Sequence, residues 1–311
     1  NRQEDSILDV NKVNGFSRET EISGSLEDSK RSFDLSSSLD LKEISSQFLN
    51  KEDYSVQSVS WYLERTFKLD KLSNRFRFCK QKFLVLECAN CGEERVAVPN
   101  SCNVRICEKC LLKAFMKLKK KYSPIVKKMR KPKFMTLTWE NVPILTSKVL
   151  DKIHKDVSNF LRRKGIKEHV RGGIYALEVT HKGNGWNIHV HFLIDMDYID
   201  QKRISEIWLK VTKNSPIIDI RSIYLKKNGR KIPYNRLNNE GDRNRAKLSA
   251  LNYVLGYMKK KPDLMNNYQF AMYIWACFNR HLIHSFGSFY GVTLPISEGF
   301  TLICSNCGSC D

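Results

Sequence analysis

No run of eighteen apolar residues occurs in this chain, so no segment has the length to cross a bilayer as a helix. The first residues are polar and acidic, unlike a secretory signal. Internal repeats at solenoid periods are also missing, which excludes repeat architectures. Negative charge is the scarcest feature: 33 Asp and Glu stand against 53 Lys and Arg, a net charge of +20. That imbalance suggests a polyanionic partner, nucleic acid or an acidic membrane surface, and with no inserting segment nucleic acid is favoured. At 41% hydrophobic residues over 311 positions, the chain can bury a sizeable core in one large domain or two smaller ones.

The charge is unevenly spread. Residues 1–50 hold ten acidic and six basic residues and are rich in Ser, so the remainder carries all of the positive excess. Residues 1–54 read as an acidic, mostly disordered segment with a short helix near 40–49. The rest divides into a cysteine-containing, basic helical region (55–131), a central core (132–262) and a helical extension with a cysteine-rich tail (263–311).

Ten cysteines could mean disulfides, but five fall within residues 88–110 and three within 304–310, mostly as C-x-x-C pairs. Such clusters read as metal knuckles in a reducing compartment. Cys88 and Cys91 are separated by fifteen residues from Cys107 and Cys110, a zinc spacing, with Cys102 able to replace one of the four. Cys79 and Cys277 read as ordinary buried thiols. The tail thiols Cys304, Cys307 and Cys310 make half of a second knuckle at most. A basic helix follows Cys110 and should end near Pro124.

From residue 133 the periodicity is clearest. Residues 133–139 alternate as a strand, and 146–165 have helical spacing through Val149, Ile153, Val157 and Phe160, with Thr146 or Ser147 as cap and Gly165 as stop. Residues 173–181 and 186–195 are strands joined by a hairpin; 200–214 is an amphipathic helix; 217–224 is a strand; 244–261 is a helix. The order β-α-β-β-α-β predicts an α+β, ferredoxin-like core with an antiparallel sheet.

If the hairpin closes on Gly183-Asn184, Glu178 sits opposite His189, and His191 lies on the same face. That face carries Glu178, Thr180, Asn187, His189 and His191; the other carries Tyr175, Leu177, Val179, Ile188, Val190 and Phe192 and belongs to the core. Two imidazoles and a carboxylate suit a divalent ion with open positions. In the last helix, Tyr253, Tyr257 and Lys260 fall within a stripe of roughly 60° at about 100° per residue. The basic runs Lys117–Lys121, Lys127–Lys133 and Lys259–Lys261 are candidate phosphate contacts, and Trp139, Trp186 and Trp208 candidate base-stacking residues, with Trp208 more readily a core residue.

Asn187-Ile188-His189-Val190-His191-Phe192, followed by Tyr253-x-x-x-Tyr257-x-x-Lys260, resembles the HUH endonuclease superfamily, and within it the two-tyrosine rolling-circle replication initiators. Lys133-Phe134-Met135-Thr136-Leu137-Thr138 matches the Thr-rich strand that precedes the histidine motif in that superfamily, and Glu178 matches its metal-binding acid. Cys102, Cys107 and Cys110 resemble the cysteine cluster upstream in many relatives. One departure is Gly256, where many members have Lys before the second tyrosine, so Lys260 takes the assisting role.

The resemblance implies a site-specific, metal-dependent single-strand DNA endonuclease and strand transferase. It would act through a 5′-phosphotyrosine on Tyr257, with Tyr253 either a second nucleophile or a bystander. It further implies Mg²⁺ or Mn²⁺ on Glu178, His189 and His191, structural Zn²⁺, origin or single-stranded DNA and host helicase and polymerase as partners, and the cytoplasm of a prokaryotic host. A rolling-circle transposase would share this chemistry. A non-catalytic, zinc-containing DNA-binding regulator would keep the fold without it.

Overall fold

The computed structural model describes residues 21–23, 55–88, 90–92, 95–104, 106–181, 184–258, 266–294 and 307. The helix expected near 40–49 lies outside them. In chain order the elements are β1 (Glu21–Ser23), α1 (Val56–Arg65), α2 (Asp70–Arg77), β2 (Lys82–Glu87), β3 (Arg95–Pro99), α3 (Glu108–Lys127), β4 (Pro132–Thr138), α4 (Ser147–Arg162) and α5 (Lys164–Lys167). There follow β5 (Val170–His181), β6 (Trp186–Met196), α6 (Gln201–Thr212), β7 (Ile218–Ser222), β8 (Tyr224–Lys227), β9 (Arg230–Pro233), α7 (Glu240–Gly256), α8 (Asn267–Cys277) and β10 (Ile283–Gly287).

A five-stranded antiparallel sheet runs in the order β10-β5-β6-β4-β7. Its two faces differ because side chains alternate along each strand. Met135, Leu137, Tyr175, Leu177, Val179, Ile188, Val190 and Phe192 point to one core, with buried residues of α1, α2, α4, α6 and α8. Leu150, Ile153, Val157 and Phe160 supply the α4 stripe, and the Thr146 hydroxyl caps that helix by accepting from the Val149 amide. Ile174, Ala176 and Leu193 point to the opposite face, into a second core with Phe115, Tyr122 and Val126 of α3 and Ala250, Leu251 and Val254 of α7.

Several elements depart from the sequence reading. Helix α3 does not end at Pro124 but continues to Lys127. Pro124 lacks only the N–H that would have served the Lys120 carbonyl. Phe115, Tyr122 and Val126 keep the helix seated on the second core past that point. The extension beyond residue 263 is helical only to Cys277. Asn279 then takes a left-handed φ of 56°, and β10 joins the sheet edge beside β5. The strand expected over 217–224 breaks at the buried Ile223, and its end pairs instead with β9 through Asn228 and Gly229, both at positive φ. Trp139, Trp186 and Trp208 are all buried in the first core, which removes them as base-stacking candidates. That same core runs on into Val59, Leu63, Leu72 and Phe76, so it crosses the boundary expected near residue 131.

No helix among the described residues is long and apolar enough to cross a membrane.

Gly173 sits where β5 is flanked by both β6 and β10, opposite Ile194 and Phe286. A Cβ there would run into the Leu193 carbonyl, which is backbone and cannot turn aside. Gly173→Ala should therefore cost about 1–3 kcal/mol of stability. Urea unfolding monitored by tryptophan fluorescence reads this directly, and an unchanged midpoint would show that the strands separate at no cost.

Candidate active site

Hairpin β5–β6 pairs Glu178 with His189 and Thr180 with Asn187, the register that closure on residues 183 and 184 requires. Neighbouring β4 pairs Thr136 with His191 and Thr138 with His189. Each threonine hydroxyl meets the Nδ1 of its partner imidazole, Thr136 at 3.1 Å and Thr138 at 3.2 Å. These hydroxyls fix both ring planes. When they accept an Nδ1–H, each Nε2 keeps the lone pair that a metal ion requires. His191 Nε2 and Glu178 Oε2 are 2.7 Å apart.

This polar face is not the open solvent face that its composition suggests. Helix α7 crosses it, and Glu178, Thr180 and His191 are buried. His189 is half-buried and marks the more open end. Helix α7 ends at Gly256, five residues earlier than the periodicity predicts, but Tyr257 keeps helical dihedrals as its cap residue. Tyr253 and Tyr257 thus stay one turn apart. The Tyr257 ring lies on His191 with centroids 3.6 Å apart and planes within 5°. Its hydroxyl donates to the Tyr253 hydroxyl at 2.7 Å. Tyr257 is 8% exposed and Tyr253 56%, so the first is lodged against the histidine while the second faces solvent over Phe134. Burial raises the Tyr257 phenol above its ordinary value, and the Tyr253 hydrogen bond and the Glu178 charge push the same way. Lys260 lies outside the described residues.

On the same side of the sheet, α3 runs against α7 and presents Lys113, Lys117, Lys120 and Lys127 to solvent, with Lys128, Arg130 and Lys131 just beyond it. A polyanionic strand near the tyrosines would meet this positive surface.

The thiols are arranged differently from the expected Cys88-Cys91-Cys107-Cys110 set. Cys107 and Cys110 join Cys102 and Cys79 in one buried cluster, while Cys88 and Cys91 come together with Cys307. Cys79, expected to be an ordinary core thiol, is thus a member of the first group, and Cys102 replaces one of the expected four, since it and Cys79 stand where Cys88 and Cys91 were expected. None of the described cysteines is in a disulfide. In the first cluster the sulfurs of Cys79 and Cys110, Cys102 and Cys110, and Cys107 and Cys79 are each 3.6 Å apart. Thiolates on a tetrahedral zinc at about 2.3 Å would stand roughly 3.8 Å from one another. This buried four-thiol group could hold a metal such as zinc. Among the described residues, only the two thiol groups bring three or more ligand atoms within 4.8 Å of each other; Glu178, His189 and His191 are spread more widely.

Two features of the site were missed in the sequence. The pairing of Thr-x-Thr with His-x-His was legible as two period-two motifs on strands that become neighbours. The place of Cys79 in the thiol cluster had no such signal, because it stands 23 residues upstream of Cys102 with no second cysteine in a knuckle spacing.

The sheet thus carries an acid and two threonine-braced histidines beneath a paired-tyrosine helix, with a lysine-rich helix beside it. A family model described as replication protein matches residues 93–287, and the chain belongs to that family. No curated protein and no solved structure matches the chain. The match begins after Cys91 and ends with β10, so it covers the whole five-stranded sheet.

Because Cys79, Cys102, Cys107 and Cys110 lie in the same apolar core as the sheet, removing one ligand should be felt throughout. Cys107→Ser is expected to lose the metal of this cluster and to lower the thermal midpoint of the whole chain. Elemental analysis alongside thermal unfolding tests it: an unchanged metal content, or a midpoint that does not move, would argue that the four thiols are only packed together.

Proposed function

We propose that this replication protein is a rolling-circle initiator of the HUH type: a metal-dependent endonuclease that nicks one strand of origin DNA and keeps it as a 5′-phosphotyrosine. The observation that carries this reading is the Tyr257 ring stacked on His191, which pairs with Glu178 while Thr136 and Thr138 brace both imidazoles. The strand order supports it, since β7-β4-β6-β5 is the fourth-first-third-second arrangement of a ferredoxin-like split βαβ unit.

Two imidazoles braced at Nδ1 and one carboxylate form a donor set for a divalent ion, in which the carboxylate and the remaining water or phosphate oxygens suit Mg²⁺ or Mn²⁺. Bound by Glu178, His189 and His191, such an ion would supply Lewis acidity at the scissile phosphate. The protein's own residues do the rest. Tyr257 attacks phosphorus through its phenolic oxygen, the P–O3′ bond breaks, and the departing 3′-oxygen takes up a proton to become the hydroxyl that primes synthesis. The phenolic proton leaves along the hydrogen bond to Tyr253, which faces solvent. The phosphotyrosine conserves the energy of the phosphodiester bond, so a later 3′-hydroxyl can reverse the step. Tyr253, one turn away, acts as second nucleophile in the transfer that ends a round, and Lys260 neutralises charge on the phosphate. The lysines of α3 hold the strand, the replicon is a plasmid or virus of a prokaryotic cytoplasm, and host helicase and polymerase extend the primer.

Incubation with single-stranded origin DNA and Mg²⁺ or Mn²⁺ tests the reading. A covalent protein–DNA adduct should form and should disappear in excess EDTA. Tyr257→Phe removes one hydroxyl and should cut adduct formation at least about a thousandfold. Tyr253→Phe should still nick but fail to transfer the strand; if the two are interchangeable, each single variant keeps part of the activity. His189→Ala is a cleaner metal-ligand variant than His191→Ala, because His191 is buried under Tyr257 and its loss would open a cavity as well. Mass spectrometry of the trapped adduct decides the nucleophile, and a nucleotide on neither tyrosine would overturn the mechanism.

The pH profile is a second test. The raised phenol pKa means that the phenolate is a minor species through about pH 6–9, so adduct formation should climb with pH across that range. A flat profile there, with chemistry rate-limiting, would mean that loss of the phenolic proton does not limit the attack.

A further inference from the structure

The second thiol group lies away from the sheet. Cys88 follows directly on β2, Cys91 lies in the turn toward β3, and Cys307 is 219 residues further along the chain than Cys88. Their three sulfurs fall within 4.8 Å of one another, and those of Cys88 and Cys307 are 3.7 Å apart. A disulfide would need about 2.05 Å. The observed spacing instead matches sulfurs sharing a tetrahedral zinc, roughly 3.8 Å, and matches the 3.6 Å spacing in the buried four-thiol group.

The local backbone is built for such a site. Gly92 takes a φ of 68°, which side-chain-bearing residues rarely adopt, and its N–H donates to the Cys88 carbonyl at 2.8 Å. This closes the Cys88–Cys91 turn so that both sulfurs reach the same point. Three thiolates form a soft donor set that selects zinc over magnesium or calcium.

We infer that Cys88, Cys91 and Cys307 ligate a second zinc ion, separate from the four-thiol cluster, which clasps the chain near residue 307 to the β2–β3 hairpin. Zinc takes a fourth ligand, and the sequence supplies Cys304 and Cys310, three residues to either side of Cys307, both outside the described residues. The inference is independent of the nuclease reading, because it concerns metal content and not DNA chemistry.

Elemental analysis of the full chain, purified reduced and without chelator, tests it. About two zinc ions per chain are expected, one for each thiol group. Cys307→Ser and Cys88→Ser should each lower this to about one, whereas Cys110→Ser should remove the other ion. Cys307 belongs to neither apolar core, so Cys307→Ser should leave the circular dichroism unchanged and keep the experiment interpretable. In cobalt-substituted protein, the visible absorption of tetrahedral thiolate coordination should fall by about half in Cys307→Ser. Cys304→Ser and Cys310→Ser then identify the fourth ligand, the one that matters loosening the site. A wild-type content of one zinc, a content unaffected by Cys307→Ser, or a Cys88–Cys307 disulfide in non-reducing peptide maps would each overturn the inference.

Discussion

The register between β5 and β6 is the constraint on which the rest of the structure depends. It sets Glu178 beside His189 and, with the β4 register, brings Thr136 and Thr138 onto the two imidazoles. A slip of β6 by one residue would send its side chains to the opposite face, burying the two histidines among Tyr175, Leu177 and Val179. The apolar half of the alternation forbids this. Ile188, Val190 and Phe192 are wholly buried, so a shifted β6 would take them out of that core while putting both imidazoles into it. The candidate site is thus held in place from behind, by residues that take no part in it.

Covering the polar face has a second consequence. A carboxylate and two imidazoles under a helix are costly unless each polar atom is matched. Here the threonines, the Glu178–His191 pair and the tyrosine hydroxyls answer one another within a few ångströms. At the far end of the same face, Asp195 receives the backbone amides of Arg130 and Lys131 and the Arg171 guanidinium, which ties the start of β4 to β5 and β6. Between these polar ends lie Ala176 and Leu193, where α7 and α3 find apolar purchase. One helix can therefore both cover the sheet and carry tyrosines to its polar end.

Much of this was legible in the sequence, and the limits of legibility have physical causes. Alternation over 173–192 is long and strict, so it gave both faces and the cross-strand partner of Glu178. Helices α4 and α6 were readable because an apolar stripe and a cap residue, Thr146 or Asp200, coincide. Strand β10 was not, because Ile283–Gly287 follows directly on an apolar, aromatic helix and is short; only its place beside β5 makes it a strand. Burial of the histidine face was invisible for a different reason. Helix α7 has apolar residues on several sides, since it must meet α3 as well as the sheet, so its pattern does not say what it covers. Asn228-Gly229 was a readable turn signal, hidden by taking Ile217 to Tyr224 as one unbroken strand.

The cysteines show how spacing can single out residues that do cluster and still give them the wrong partners. C-x-x-C pairs fifteen residues apart invite a single site, yet Cys88–Cys91 and Cys107–Cys110 stand at opposite ends of the β2–β3 hairpin and its return, and each pair meets other thiols elsewhere. What decides is the core. Cys79, Cys102, Cys107 and Cys110 pack with Val59, Leu63, Phe76 and Val104 in the cluster that continues through Trp208 and Phe192 to the sheet. The four-thiol group is therefore not a module appended in front of a self-sufficient five-stranded sheet. It lies inside the apolar continuum that pins the β5–β6 register, just before α3, whose C-terminal end leads through Arg130 and Lys131 into β4. A metal held there would brace the entry to the strand that carries Thr136 and Thr138, linking the thiol chemistry of the N-terminal region to the orientation of the two histidines.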